Sequence, residues 1–322
     1  MSEIKLTKGT EHLAKKMLGI FTTPFLKKEK LTLAKKIVKA LPARYRISGE
    51  AFISALEALH DTTTFPFTVI YKNIIGAHRN RIFMAETIGS LKIVNNENEP
   101  DLDLEKRRRA NANKMASIQI DKFLKSKKGI NLVTSEVANY LIDIASVKPS
   151  IPQELLYQGC VGLWSALEVL IRDNLISYLN EKPKLAKLIT ENPKSKKHFE
   201  LPRITFDYLE DYSFNLSKKM GDLLIEPRDM SDLKSMKIAL FTIFPSASLR
   251  KAMNNKTLWE LNQIRHLIVH KRGIADEKYI ANTNKKIKIG TNIHIKPLEF
   301  ERYFMAVVDV GTAIIKEIGS KV

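Results

Sequence analysis

Apolar residues along this chain recur mostly at intervals of three and four, the period of helices that bury one face. The sharpest instance is residues 257–273, where Leu258, Leu261, Ile264 and Ile268 form a single stripe. Both ends of that helix are legible. Thr257 and Glu260 fit a capping box, in which each side chain satisfies the other residue's free backbone N–H. Lys271 and Arg272 suit the negative end of the helix dipole, and Gly273 can take the left-handed conformation that stops a helix. A longer stripe of Leu156, Leu163, Leu167, Leu170 and Ile171 continues to Leu175 and Tyr178, with Trp164 adding bulk. Ser150 and Gln153 fit a capping box at its start, with Pro152 in the first turn. Pro297 opens a last helix, in which Phe304, Val307, Val308, Ile314, Ile315 and Ile318 can close the core.

Shorter stretches predict helices over 13–20, 30–41 and, capped by Ser48, 48–60. After Pro66 a longer helix carries Ile70, Ile74, Ile75, Ile82, Phe83 and Ile88, interleaved with Lys72, His78, Arg79 and Arg81. Those basic residues form either an RNA-contacting face or, as charge runs usually do, a solvated one. Residues 95–103 are polar and read as a loop. The helix after it pairs Asp103 with Arg107 and Glu105 with Arg109, which partly neutralises its arginines. Thr134 or Ser135 starts another helix, through Ile144. Further helices are expected over 207–224 and from Ser231 to Phe244, after a loop-rich segment at 182–198. One stretch breaks the helical period. Ile287-x-Ile289 and Ile293-x-Ile295 alternate around Gly290-Thr-Asn, the signal of a small β-hairpin. The expected fold is all-α, with a helical N-terminal domain over 1–147 and a C-terminal bundle carrying the hairpin over 150–322. The boundary falls in Val147-Lys-Pro-Ser-Ile-Pro, where two prolines interrupt helix.

A length of 322 residues is enough for two such cores. Lys plus Arg number 53 against 35 Asp plus Glu, a formal net charge of +18. Such a field attracts RNA, DNA and anionic membranes alike, and its sign does not choose among them. No run of 18 apolar residues exists, so no membrane partner is expected. The N-terminus has no continuous apolar signal core, because Glu11, His12, Lys15 and Lys16 interrupt it. The single Cys160 excludes an intramolecular disulfide and fits a reducing cytoplasm. A Gly-rich phosphate loop, zinc-spaced Cys/His clusters and a nucleophile elbow are all missing from the sequence. His266 and His270 lie one turn apart but have no acidic third ligand nearby in sequence, so neither a metal nor a cofactor is expected.

The candidate chemistry sits on the helix at 257–273. Arg265 and His270 make an Arg-x4-His pattern, with the polar His266 directly after the arginine. Five residues apart is about 140° of rotation and roughly 7.5 Å of rise, so the two do not touch but can reach one extended anion. Arginine offers a fixed fork of donors to a phosphate, and histidine moves protons near neutral pH. Together they suit cleavage of RNA by its own 2′-hydroxyl. The bare pattern is weak, since chance supplies roughly 0.3 such matches in a chain of this composition. The plainer reading is a buried helix whose outer face carries solvated Arg and His.

The stretch Leu-Trp-Glu-Leu-Asn-Gln-Ile-Arg-His-Leu-Ile-Val-His-Lys-Arg-Gly-Ile-Ala-Asp, residues 258–276, resembles the HEPN superfamily of ribonucleases and nucleotide-binding helical proteins. The likeness is nearest to its prokaryotic RNA-cleaving branch. It extends through Lys286-Ile-Lys-Ile-Gly290 into the last helix, about half the chain in all. One position departs: such proteins often carry Asn after the arginine, and here it is His266. The resemblance implies a HEPN-like bundle and a metal-independent endoribonuclease acting as a toxin or phage-defence effector. Arg265 would bind the scissile phosphate, His270 would act as general acid or base, and His266 would support the site. It also implies a homodimer, and an inhibitory antitoxin or immunity protein as a possible partner. Glu168 is read as an ion pair with Arg172, or alternatively as the group that orients Arg265. Lys271 and Arg272, with Lys194, Lys196 and Lys197 in the 182–198 segment, are candidate RNA contacts, although a solvated loop is as reasonable for the latter three. The alternative function is a non-catalytic RNA-binding or regulatory HEPN module. A helical DNA-binding regulator rests on charge alone.

Overall fold

Helical periodicity governs the described part of the chain. The structure is a computed structural model that describes residues 28–91, 102–140, 150–199 and 204–322. Helices α1 (Lys28–Lys39) and α2 (Ala43–Leu91) are followed by α3 (Leu102–Lys125) and α4 (Lys127–Asn139). Helix α5 (Ser150–Glu181) leads through a 3-10 turn at Pro183–Leu185 into four short helices. These are α6 (Ala186–Glu191), α7 (Pro193–Lys196), α8 (Phe206–Asp211) and α9 (Met220–Leu224). The order ends with α10 (Leu233–Ile243), α11 (Ala247–Met253), α12 (Lys256–Lys271), α13 (Glu277–Thr283) and α14 (Pro297–Gly319). No strand occurs among the described residues, and the fold is all-α. The helix expected at 13–20 and the boundary at 147–149 lie outside the described residues.

The chain divides into two compact units. Among the described residues, one comprises 64–152 and the other joins 28–63 to 153–322. The second unit therefore reaches back across the division at 147–150 to take in α1 and the start of α2. Close helix contact explains this. A Cβ on Gly162 of α5 would lie 2.4 Å from Leu59, and one on Gly311 of α14 would lie 2.4 Å from the Phe52 ring. Only glycine lets α2 approach both helices so closely. The break expected at Pro66 is absent, and α2 runs through that position without interruption. Nor does Ser48 start a helix. It is buried and donates to the Tyr45 carbonyl at 3.0 Å, while the Pro42 carbonyl accepts the first helical N–H groups.

In the unit containing α3 and α4, Ala112, Ala116, Ile120, Val133 and Val137 are buried. Ser126, rather than Thr134 or Ser135, caps α4. It sits at the turn out of α3 and accepts from the Gly129 N–H at 3.0 Å. His78 pairs with Glu136 at 2.6 Å, whereas Lys72, Arg79 and Arg81 are exposed.

In the other unit, the predicted inward residues of α5 and α14 are all buried, with α14 lying against α1, α11 and α12. Residues 153–181 are long and apolar enough to pass as a membrane span, yet 56% of an apolar 18-residue window within them is buried in the fold. The Ser150–Gln153 capping box is not formed, since both polar atoms of the Gln153 side chain are buried without a hydrogen bond. The helix expected over 207–224 is interrupted where Ser213 and Phe214 take positive φ of 49° and 56°. Asp232, not Ser231, caps α10 by accepting from the Lys234 and Ser235 N–H groups. The 182–198 segment is folded into short helices held by buried Ile189, Ser195 and Phe199, and not an open loop.

The expected hairpin also takes another form. Residues 290–293 pair with the chain leaving α12: Ala275 N–H donates to Thr291, Gly290 N–H to Ala275, and Ile293 N–H to Gly273, at 2.8–2.9 Å. Ile274 and Asn292 form one isolated antiparallel bridge. Ile293 and Ile295 are buried while Ile289 is exposed, so only half of the alternation faces a core.

Candidate functional site

Helix α12 carries the Arg-x4-His pattern and is held at both ends. Its cap is Asn255, whose side chain accepts from the Thr257 N–H at 2.8 Å, so Thr257 lies inside the first turn and makes no capping box with Glu260. Leu258, Leu261, Ile264 and Ile268 are buried as their spacing requires, joined by Leu267. At the far end Arg272 and Gly273 both adopt positive φ, 52° and 79°, and the Gly273 N–H returns to the Leu267 carbonyl at 3.1 Å. A Cβ on Gly273 would fall 2.6 Å from the Tyr157 ring. The Tyr157 hydroxyl donates to the Ile293 carbonyl at 2.6 Å, and burial pushes that phenol up to about 12, which keeps it a donor. The end of α12 is thereby fastened to α5 and to the extended segment.

Arg265 is half-buried, and its Nε has no hydrogen-bond partner. Its charge acts on two carboxylates. Glu168 on α5 accepts from Arg172 at 2.9 Å. Burial raises the Glu168 carboxyl above its ordinary range, against the pull of Arg172 and then Arg265, with Asp229 adding to the rise. Asp229 is lowered, chiefly by hydrogen bonds from the Ser231 hydroxyl and N–H, with help from Arg265 and Arg172. Trp164 on α5 donates to the Ser231 carbonyl at 2.7 Å and so anchors that turn. Glu168 and Arg265 therefore act on one another through charge, with no hydrogen bond or ion pair between them. Asp229 carries no sequence signal of this role, because its neighbour Arg265 is on a different element.

His266 and His270 are exposed, with ring centroids 4.5 Å apart and planes tilted by 49°. His266 is lowered from its ordinary value, first by burial, then by His270, Lys278 and Arg265, while Asp276 opposes. The structure thus sets His266 and His270 on the outer side of α12, with Lys271 and Arg272 exposed at its end, while Arg265 is half-buried on the side toward α5. Among the described residues, no three His, Cys, Asp or Glu side chains gather as a metal site.

Within the two turns before Arg265, Trp259 and Asn262 line a cavity of about 870 Å³. Lys194 and Lys197 also line it, whereas Lys196 is exposed away from it. Lys234, Lys237 and Arg250 complete the basic wall. Sequence reading missed those three, since each lies on an otherwise ordinary amphipathic helix. No protein-family model, no curated protein and no solved structure significantly matches the chain.

Proposed function

We propose that this protein is a metal-independent endoribonuclease of the HEPN type that cuts RNA through its 2′-hydroxyl. The observation that carries the reading is the His266–His270 pair on the exposed face of α12, with the half-buried Arg265 next to His266 in the chain. In this chemistry one imidazole takes the 2′-hydroxyl proton as O2′ attacks phosphorus, and the other protonates the departing 5′-oxygen. The products are a 2′,3′-cyclic phosphate and a 5′-hydroxyl. His266, biased toward its neutral form, suits the base, and His270 the acid. Arg265 neutralises charge on the phosphate, and Lys271 and Arg272 hold the strand on either side.

One helix presents Arg265 and His270 about 140° apart, too widely to surround a single phosphate. A second copy across a two-fold axis supplies the missing half, and Val269, exposed between them, is an apolar residue such contact would cover. The role as a toxin or phage-defence effector, with an inhibitory partner, rests on the HEPN resemblance.

The second reading is a non-catalytic RNA-binding module. It is favoured by the sharing of Arg265's charge with Glu168 and Asp229. Incubating the purified protein with total RNA and tRNA separates the two. Wild type should cut, His270→Ala should not, and Arg265→Ala should lose cleavage and binding together. RNA binding by wild type without cleavage under any condition would leave the binding module.

A further inference from the structure

The turn built on α8 presents aromatic rings that no core of the described chain takes up. No residue of α8 is buried. Phe206 is 70% exposed and Phe214 59%, and Ile204, two residues before the first ring, is exposed as well. The two rings meet edge to face with centroids 5.4 Å apart. An unfavourable backbone holds them there. Ser213 and Phe214 both take positive φ, which a residue with a Cβ rarely adopts. The Phe214 N–H donates to the Leu209 carbonyl at 2.7 Å, which turns the chain back at the end of α8. Paired aromatic rings set outward in this way are what a second protein surface covers.

The rim of this patch is acidic, on a chain whose net charge is +18. Asp207, Glu210 and Asp211 are exposed, and none has an ion-pair partner among the described residues. Of the two lysines that follow, Lys219 pairs with Asp222 at 3.9 Å and lies over the Tyr212 ring, which leaves Lys218 against those three carboxylates.

The cavity walled by α7, α10, α11 and α12 has the opposite charge. Lys194, Lys197, Lys234, Lys237 and Arg250 line it, with Asp232 as its one carboxylate. Asp232 is already engaged at the start of α10, accepting from two backbone N–H groups and the Ser235 hydroxyl. None of the four lysines has an ion-pair partner among the described residues. Half-exposed Ile238, Phe241 and Trp259 lie among these cations. A volume of about 870 Å³ is ample for two phenylalanine rings. A simple anion would satisfy the lysines and leave that apolar lining wet, whereas the α8 turn matches both.

We propose that the α8 turn of one copy of this protein docks in the basic cavity of another. Phe206 and Phe214 enter against Trp259 and Phe241, and Asp207, Glu210 and Asp211 meet the lysines of α7 and α10. The contact joins two different patches, so each copy offers one turn and one cavity. Neither patch includes Arg265, Val269 or His270, so the contact stands apart from the α12 dimer and from RNA cleavage.

Sedimentation velocity would be run on the full chain carrying Val269→Glu, which removes the contact proposed for α12. That protein should self-associate, and more weakly as salt is raised. Phe206→Ala with Phe214→Gly deletes both rings, and glycine suits the positive φ at 214. Lys197→Glu with Lys234→Glu reverses charge at two exposed side chains of the cavity. Each double variant alone should associate about tenfold more weakly or less. An equimolar mixture of the two should recover association, because the first keeps its cavity and the second its turn. Trp259 emission should shift to the red in the phenylalanine variant and return on mixing. Circular dichroism would confirm that both variants are folded. A monomer at every attainable concentration would overturn the proposal, and a red shift in its phenylalanine variant would place the turn in its own chain's cavity instead. Association untouched by either variant, or lost in both and not restored by mixing, would overturn it too.

Discussion

His266 and His270 face each other one turn apart on α12, their ring centroids separated by 4.5 Å. Burial makes protonation of His266 less favourable, and the neighbouring His270 adds to the effect. NMR titration should place the His266 midpoint below its ordinary 6.5. In His270→Ala that midpoint should rise but stay below 6.5, because burial, the larger cause, remains. With a lowered folded value, the unfolded chain binds the proton first as pH falls. The His266 contribution to stability is therefore present above pH 6.5 and lost as pH drops through the folded midpoint. A wild-type midpoint above 6.5 would refute the pairing.

If the 2′-hydroxyl is the nucleophile, RNA fragments should carry 2′,3′-cyclic phosphate and 5′-hydroxyl ends. A 2′-deoxy or 2′-methoxy group at the cut position should block the reaction, and excess EDTA should not. Strong EDTA inhibition reversed by added metal would count against the mechanism.

Glu168 gives a prediction of the opposite pH sense. Its folded value is raised above 4.5, so its contribution is fully present below 4.5 and is lost as pH rises through the folded value. Glu168→Gln imitates the protonated form and can still accept from Arg172. Its stability at pH 7 should match or exceed wild type, with a flatter urea midpoint between pH 4.5 and 7. The same variant tests positioning: cleavage unchanged from wild type would show that Glu168 does not orient Arg265.

Gly273 combines a φ of 79° with a blocked Cβ position against Tyr157. Gly273→Ala should cost about 1–3 kcal/mol in urea unfolding from backbone strain alone, with ring displacement adding to it. Tyr157→Phe, which removes only the hydrogen bond to Ile293, should cost about 1 kcal/mol. An alanine variant as stable as wild type would show that the end of α12 is not held as described.

The proposed dimer places α12 at its interface. Specific activity should fall on dilution below the dimer dissociation constant, and Val269→Glu should shift light scattering toward monomer while abolishing cleavage. Full activity in a monomer at every concentration would remove the two-fold arrangement.

Much of the helical framework was written locally. The stripes of α5, α12 and α14 follow from the spacing of their own apolar residues, and every predicted inward position on them is buried. Gly273 was legible as a stop because the residue itself favours positive φ. What the tertiary structure decided are relations between distant segments. The cap of α12 passed from Thr257 to Asn255, because the cap belongs to the residue in the extended turn between α11 and α12. The alternating isoleucines found their hydrogen-bond partner in 273–275 and not in each other. Pro66 did not divide α2, and residues 28–63 joined the C-terminal helices through contacts at Gly162 and Gly311. At the candidate site, sequence placed Arg265, His266 and His270 on one helix, but their surroundings came from elsewhere. Arg265 lowers Asp229, and Lys234, Lys237 and Arg250 line the cavity, because separate segments of the chain meet beside α12. Periodicity encodes which face of a helix is buried; it does not encode which charges the opposing elements bring to that face.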